Sequence, residues 1–179
     1  MRNVFLKAKN QRDFENKGYS IMPMLSSREV NWVLSELQLM KPDDNFNPDL
    51  PPDQPSYHLT DADTNVEYKR TAKKFIANIL ASHIEKIFDS YKMIGANFII
   101  KPPGKGSFLV HQDWTFVADP EHYTSLTIWC PLVDVDKSNG TLQVVQGSHK
   151  IVSNRTYALT EMAMYGFKER GCVRFSKIN

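Results

Sequence analysis

The sequence predicts an α+β domain in which helices come first and an antiparallel sandwich or barrel follows. Apolar residues recur at helical spacing up to residue 88, and from residue 91 onwards the period falls to two. Turns rich in Gly, Pro and Asn separate the later segments, as is typical of short antiparallel strands. The length of 179 residues fits one domain. We assign residues 1–153 to that domain and residues 154–179 to a tail of different character.

The first part of the chain carries clear signals for helix ends. A short helix begins near Asp13 and is predicted to end at Gly18, which suits the left-handed position after a helix. Residues 19–23 are predicted as a short strand. Ser26 and Glu29 have the spacing of a capping box, so a second helix should begin there and end before residue 42.

Residues 41–56 contain five prolines, which predict a loop. The longest helix follows residue 61, with an apolar stripe that should face the core: Phe75, Ile76, Ile79, Leu80, Ile84, Ile87 and Phe88. We expect this helix and the preceding one to pack outside a sheet. The predicted strands are residues 91–100, 107–113, 123–133 and 141–145, which places Cys130 on a strand.

Composition excludes several functional classes. With 22 Lys and Arg against 20 Asp and Glu, the net charge of +2 does not favour nucleic acid or an anionic membrane as the main partner. We find no apolar run long enough to span a membrane and no secretory signal at the N-terminus. Cys130 and Cys172 have no metal-like spacing, so we expect reduced thiols and a cytoplasmic protein. Residues 150–179 carry six basic and two acidic residues and differ in charge from the rest.

The pair His111 and Asp113 is the main chemical signal. Residues two apart on a strand point to the same side, so the imidazole and the carboxylate can hold one cation. They would supply two of the three ligands of the 2-His-1-carboxylate triad that binds Fe(II) and leaves positions open. The alternative is a surface histidine beside a solvated aspartate, because such a triplet also arises by chance.

The context of this pair resembles the phytanoyl-CoA dioxygenase family. The His111-Gln112-Asp113 motif is followed by the apolar run 125–133 with its Trp, the turn 134–140 with the D-x-D-x-x-N-G pattern, and the Gly-Ser-His turn at 147–149. The resemblance covers residues 12 to about 152. It implies a double-stranded β-helix, the cupin-like jelly-roll, with N-terminal helices packed outside and the C-terminal part incomplete.

The resemblance also implies Fe(II) and 2-oxoglutarate, with hydroxylation of a small organic substrate by O₂ and release of succinate and CO₂. His111 and Asp113 match the first two iron ligands and are the catalytic candidates. Trp129, Gln112 and Met93 are candidates for the 2-oxoglutarate pocket. For Trp129 and Met93 the alternative is packing in the core of a sheet.

The family pattern continues with a distal His and then an Arg that binds 2-oxoglutarate, whereas this sequence has no His after His149. The chain is then a fragment or a frameshifted product, an inactive natural form, or a protein whose site is rebuilt around His149. The competing functions are an inactive jelly-roll binding module and a cupin-like metal isomerase or small-molecule binder. Among the other histidines, we expect His58 at a pocket mouth and His83 on a solvated helix face.

Overall fold

The structure, a computed structural model, describes residues 3–40, 57–101 and 123–150, together with the backbone of residues 173–177. Its helices are α1 (Ala8–Lys17), α2 (Ser27–Leu39) and α3 (Val66–Ile87), with short 3₁₀ turns at Thr60–Ala62 and Ser148–Lys150. Its strands are β1 (His58–Leu59), β2 (Tyr91–Gly95), β3 (Ile99–Ile100), β4 (Ser125–Ile128) and β5 (Val173–Lys177).

The predicted end of the first helix is confirmed, although α1 begins at Ala8 and is longer than expected. Gly18 has φ +87°, and its N–H donates to the carbonyl of Phe14 at 2.8 Å. A residue with a Cβ is strained at this φ, which is why a glycine ends the helix.

The capping box before α2 is also confirmed. The backbone N–H of Glu29 donates to the hydroxyl of Ser26 at 3.3 Å, and the carboxylate of Glu29 accepts from the N–H of Ser26 at 2.7 Å. Two backbone donors that the helix itself leaves unpaired are thereby satisfied. Helix α3 begins in a similar way, because the Asn65 side chain accepts from the N–H of Tyr68 at 3.0 Å.

The core is built around one face of α3. The residues of this helix that are buried lie one turn apart: Tyr68, Ala72, Ile76, Leu80 and Ile84. They pack in one cluster with Val4, Phe5, Val33, Phe88, Ala96 and Phe98. Burying a large apolar side chain stabilises a fold by about 1.5–3 kcal/mol, so this helix is the main contributor to the described core.

The strands form two small antiparallel sheets. Strands β1 and β3 pair in register His58 to Ile100. The other sheet has the order β2-β5-β4, so β5 lies between strands that come earlier in the chain. In this sheet the backbone of Phe175 is opposite both Met93 and Leu126.

Residues 91–100 are not one strand, contrary to the prediction. Strands β2 and β3 belong to different sheets, and residues 96–98 link them. The reason is the contact with Thr60, whose hydroxyl accepts from the N–H of Phe98 at 2.9 Å and whose own N–H donates to the carbonyl of Phe98 at 3.1 Å. The side chain of Asn97 also accepts from the N–H of Asp61 at 2.9 Å.

Three other strand predictions need correction or remain open. The predicted strand 123–133 is shorter, and Cys130 lies after its end at Ile128. Residues 19–23 and 141–145 are not strands, because neither segment pairs with a strand in the described part of the chain. The predicted strand 107–113 lies outside the described residues.

The mixed helix and sheet composition confirms the α+β class. The helices pack against partly buried residues of the strands, among them Met93, Leu126 and Ile128. The double-stranded β-helix and the division at residue 153 stay predictions. Within the described ranges, no helix combines the length and apolarity that crossing a bilayer requires.

Candidate functional site

The predicted ligand motif His111-Gln112-Asp113 lies outside the described residues, which stop at Lys101 and resume at Tyr123. The positions of the two iron ligands therefore stay predictions. Their chemistry fits the metal, since an imidazole nitrogen and a carboxylate oxygen are two of the donors of the Fe(II) facial triad.

Strand β3, which lies just before residues 102–122, is anchored to the rest of the fold. Strand β3 pairs with β1, and β1 is attached to α3 by a buried polar network. The imidazole of His58 lies 2.8 Å from the hydroxyl of Tyr68, and that hydroxyl lies 3.4 Å from the hydroxyl of Thr60. His58 is 5% exposed, so the expectation that it lies at a pocket mouth is wrong.

Met93 and Trp129 have different surroundings. Met93, on β2, is half-buried and packs against the core cluster. Trp129 follows the last residue of β4 and is 37% exposed, so it is not a residue of the buried core. Both strands pair with β5, so Met93 lies in the sheet and Trp129 directly follows a strand of the same sheet. Their role toward 2-oxoglutarate stays a prediction.

Two further histidines are engaged in structural contacts. His83 is not on a solvated face, because its Nε2 lies 2.8 Å from a carboxylate oxygen of Glu29 and joins α3 to α2. Hydrogen bonds from Ser26 and then from His83 lower the pKa of Glu29 to about 2. His149 donates from Nε2 to the carbonyl of Glu15 at 3.0 Å, at the end of α1.

The described residues contain no metal-binding cluster. Within residues 3–40, 57–101 and 123–150, no group of three His, Cys, Asp or Glu side chains is placed to hold a metal ion. Burial raises the pKa of the Cys130 thiol, which disfavours its thiolate form.

The turn with the D-x-D-x-x-N-G pattern is stabilised from within. The carboxylate of Asp136 accepts from the N–H of Ser138 at 2.7 Å and from its hydroxyl at 2.6 Å, and these bonds lower its pKa. The side chain of Asn139 accepts from the N–H of Asp136 at 2.7 Å and donates to the carbonyl of Asp134 at 2.8 Å. The Asp and Asn of this motif therefore shape the turn.

Lys101 packs against the end of the same turn, a placement that no sequence signal indicates. A Cβ on Gly140 would lie 3.2 Å from its Nζ. Lys101 is half-buried, and desolvation lowers its pKa. The strand that leads into residues 102–122 thus ends in contact with the turn that follows β4.

An open groove of about 480 Å³ lies between α2 and residues 131–135. Its apolar lining comes from Leu25, Val30, Leu34, Leu132 and Val133. It contains neither Met93 nor Trp129, so the predicted pocket residues do not line this groove.

The sequence of residues 14–175 matches the model of the phytanoyl-CoA dioxygenase family. The chain belongs to this family. The predicted resemblance is confirmed, and the match extends beyond residue 152 to include most of β5.

A curated rice protein, Phytanoyl-CoA dioxygenase 1 of Oryza sativa subsp. japonica, is 41% identical over 76 residues. These residues are 38% of this chain and 26% of the rice protein, so the match spans about a quarter of that relative. No solved structure matches the chain.

The sequence does not indicate three placements: the contact of His149 with α1, the hydrogen bond of His83 with Glu29, and the packing of Lys101. The Gly-Ser-His turn and Gly18 were both visible as motifs. Their proximity was not, because 128 residues separate Gly18 from Gly147 and no local pattern encodes such a contact.

Proposed function

We propose that this protein is an Fe(II)- and 2-oxoglutarate-dependent dioxygenase of the phytanoyl-CoA dioxygenase type, built on a double-stranded β-helix. It hydroxylates a small organic substrate with O₂ and releases succinate and CO₂. The observation that carries the proposal is the His111-Gln112-Asp113 motif, which falls inside the range matched by the family model. We also propose a cytoplasmic location, in keeping with two cysteines that have no metal-like spacing.

In this mechanism His111 and Asp113 hold Fe(II), which supplies the activation of O₂ when bound. The chain's own residues provide the pocket. Trp129 is exposed just after β4 and is available as a wall for 2-oxoglutarate, and Met93 on β2 and Gln112 in the ligand motif are the other candidate pocket residues. Apolar walls of this kind exclude water from the reacting groups.

We also propose Lys101 as an electrostatic neighbour of the pocket. It stands ten residues before His111 and is half-buried, and its desolvation lowers its pKa. A partly desolvated cation attracts a carboxylate more strongly than a fully solvated cation does, because the effective dielectric constant around it is lower. Lys101, which directly follows β3, is therefore a candidate contact for a carboxylate of 2-oxoglutarate.

The second candidate function is an inactive jelly-roll module that binds a small molecule. The observation that favours it is that three histidines already have structural partners. In the described residues, His58, His83 and His149 are each engaged in contacts with other elements. Two facial ligands hold Fe(II) less firmly than three.

The deciding experiment is an anaerobic Fe(II) titration of the full chain, with and without 2-oxoglutarate, followed by succinate measurement in air. His111→Ala and Asp113→Ala should each weaken Fe(II) binding at least about tenfold, since each removes one of few ligands. His83→Gln is the control, because that histidine contacts Glu29 instead.

Three results are informative. Loss of Fe(II) binding and of succinate formation in both alanine variants supports the dioxygenase. Fe(II) binding that neither variant changes contradicts the assignment of these ligands. Binding of 2-oxoglutarate without any succinate supports the inactive module.

A further inference from the structure

The Gly-Ser-His turn lies against the end of the first helix. An α-helix leaves its last four carbonyls without helical partners, which for α1 are those of residues 14–17. The carbonyl of Phe14 accepts from Gly18 at 2.8 Å, and that of Lys17 accepts from the N–H of Gly147 at 2.9 Å. The carbonyl of Glu15 accepts from Nε2 of His149 at 3.0 Å. A segment more than a hundred residues away therefore completes this helix end.

With His149 in its observed position, residue 18 has no room for a Cβ. A Cβ on Gly18 would lie 2.5 Å from Nδ1 of His149 and 3.1 Å from its Cγ, which is closer than side chains pack. The ring therefore lies directly on the glycine backbone. Gly18 thus meets two separate demands: a φ of +87° and the close approach of His149.

Both ring nitrogens of His149 lie at α1. Nε2 donates to Glu15, and Nδ1 faces Gly18. A metal ligand needs a ring nitrogen with a free lone pair aimed at the metal. In this arrangement neither nitrogen is available to a site formed by His111 and Asp113.

We propose that residues 147–150 form a latch that caps α1, with His149 as a positioning residue and not the third metal ligand. The latch joins the N-terminal helix to the segment that carries Trp129 and the turn 134–140. The claim that His149 is not a metal ligand rests on the proposed function. The claim that His149 packs on Gly18 and caps α1 does not.

A double-mutant cycle in urea tests the latch. Gly18→Ala introduces both backbone strain and a collision with His149, whereas in the His149→Ala background it introduces strain alone. We expect Gly18→Ala to raise the unfolding equilibrium constant about tenfold more in the parent chain than in that background, a coupling in the range of contacting residues. Equal effects in both backgrounds would overturn the latch.

Gly147→Ala is the matched control for strain. Gly147 has φ +79°, and a Cβ there meets nothing within 4 Å. We expect its effect to equal that of Gly18→Ala in the His149→Ala background. A Gly147→Ala effect as large as that of Gly18→Ala in the parent chain would show that strain alone explains residue 18.

Amide hydrogen exchange provides a second readout that does not depend on full unfolding. His149→Ala should speed exchange of the N–H groups of Gly18 and Gly147, which cap α1. The N–H of Met40 donates to Glu36 at 3.1 Å at the end of α2 and is the control. Unchanged exchange at Gly18 and Gly147 would contradict the latch.

An Fe(II) titration separates this inference from the proposed function. His149→Ala should bind Fe(II) within about twofold of the parent, because His149 is not a ligand. A loss of tenfold or more at unchanged stability would make His149 a ligand and refute the proposal. A parent chain that binds no Fe(II) would refute the dioxygenase, while the mutant cycle would still decide the latch.

Discussion

The side chain of Gln11 holds the start of the chain against α1. Its Oε1 accepts from the N–H of Val4 at 2.8 Å and from that of Phe5 at 3.1 Å. Its Nε2 donates to the carboxylate of Glu15 at 2.7 Å. Gln11 is 7% exposed and Val4 is fully buried, so water cannot easily replace these bonds.

Replacing Gln11 with Met keeps the length of the side chain and removes the acceptor. The N–H groups of Val4 and Phe5 then lose their partner, and each buried donor without a partner costs about 1–3 kcal/mol. Burial of the apolar Met side chain offsets part of this cost. We expect Gln11→Met to lower the free energy of unfolding by about 2–4 kcal/mol.

Urea denaturation of the full chain, followed by circular dichroism, measures this change. Gln38→Met is the matched control, since Gln38 is exposed on α2 and should change stability by less than about 0.5 kcal/mol. If Gln11→Met also falls within that limit, the two N–H groups find other partners and the reasoning is refuted.

Three further predictions concern the helices. Because the pKa of Glu29 falls from 4.5 to about 2 on folding, its carboxylate adds stability above pH 4.5 that is lost as the pH falls toward 2. Glu29→Gln should therefore flatten the dependence of the urea midpoint on pH in that window, and an unchanged slope would contradict it. Leu80→Ala should lower the free energy of unfolding, measured in urea, by about 2–5 kcal/mol, because Leu80 is buried on the core face of α3. A decrease below about 1 kcal/mol would contradict this burial. Tyr68→Phe should cost about 1–3 kcal/mol, because buried His58 loses its hydroxyl partner, and a thermal shift assay that shows no loss would refute this.

Local signals predicted the helices well. Gly18 ends α1 and the Ser26 box starts α2, because the residues that satisfy a helix end stand within four positions of it. The stripe on α3 was predicted in part. Ile76, Leu80 and Ile84 are buried, whereas the neighbouring Phe75, Ile79 and Ile87 are only partly buried. Periodicity defines a face, but packing decides which edge of that face is covered.

Strands were predicted less well because a strand exists only with a partner. Residues 141–145 have the alternating, β-branched character of a strand, yet Leu142, Val144 and Val145 are exposed and unpaired with a strand in the described part of the chain. Residues 96–98 separate β2 from β3 within an apolar run because Phe98 is hydrogen-bonded to Thr60, which directly follows β1. That contact joins residues 38 positions apart, which no window of sequence contains.

For the candidate site too, the sequence motif was informative about the family but not about the contacts of the side chains. The His111-Gln112-Asp113 motif pointed to the family, and the family match supports that step. The motif did not indicate what other residues of the site contact. The aspartate and asparagine of the turn 134–140 bond within the turn, and Trp129 lies exposed after β4. These outcomes depend on three-dimensional neighbours and not on residue type.

A 2-His-1-carboxylate site formed with His111 and Asp113 would need a second imidazole. Of the five histidines in this sequence, His58, His83 and His149 are held by contacts with α3, α2 and α1 respectively. Recruiting any of them to a metal would break a contact that joins two parts of the chain. If His111 is one ligand, the remaining histidine is His122, nine residues after Asp113. Within this sequence, a second imidazole would therefore come either from His122 or from a histidine that loses its structural contact.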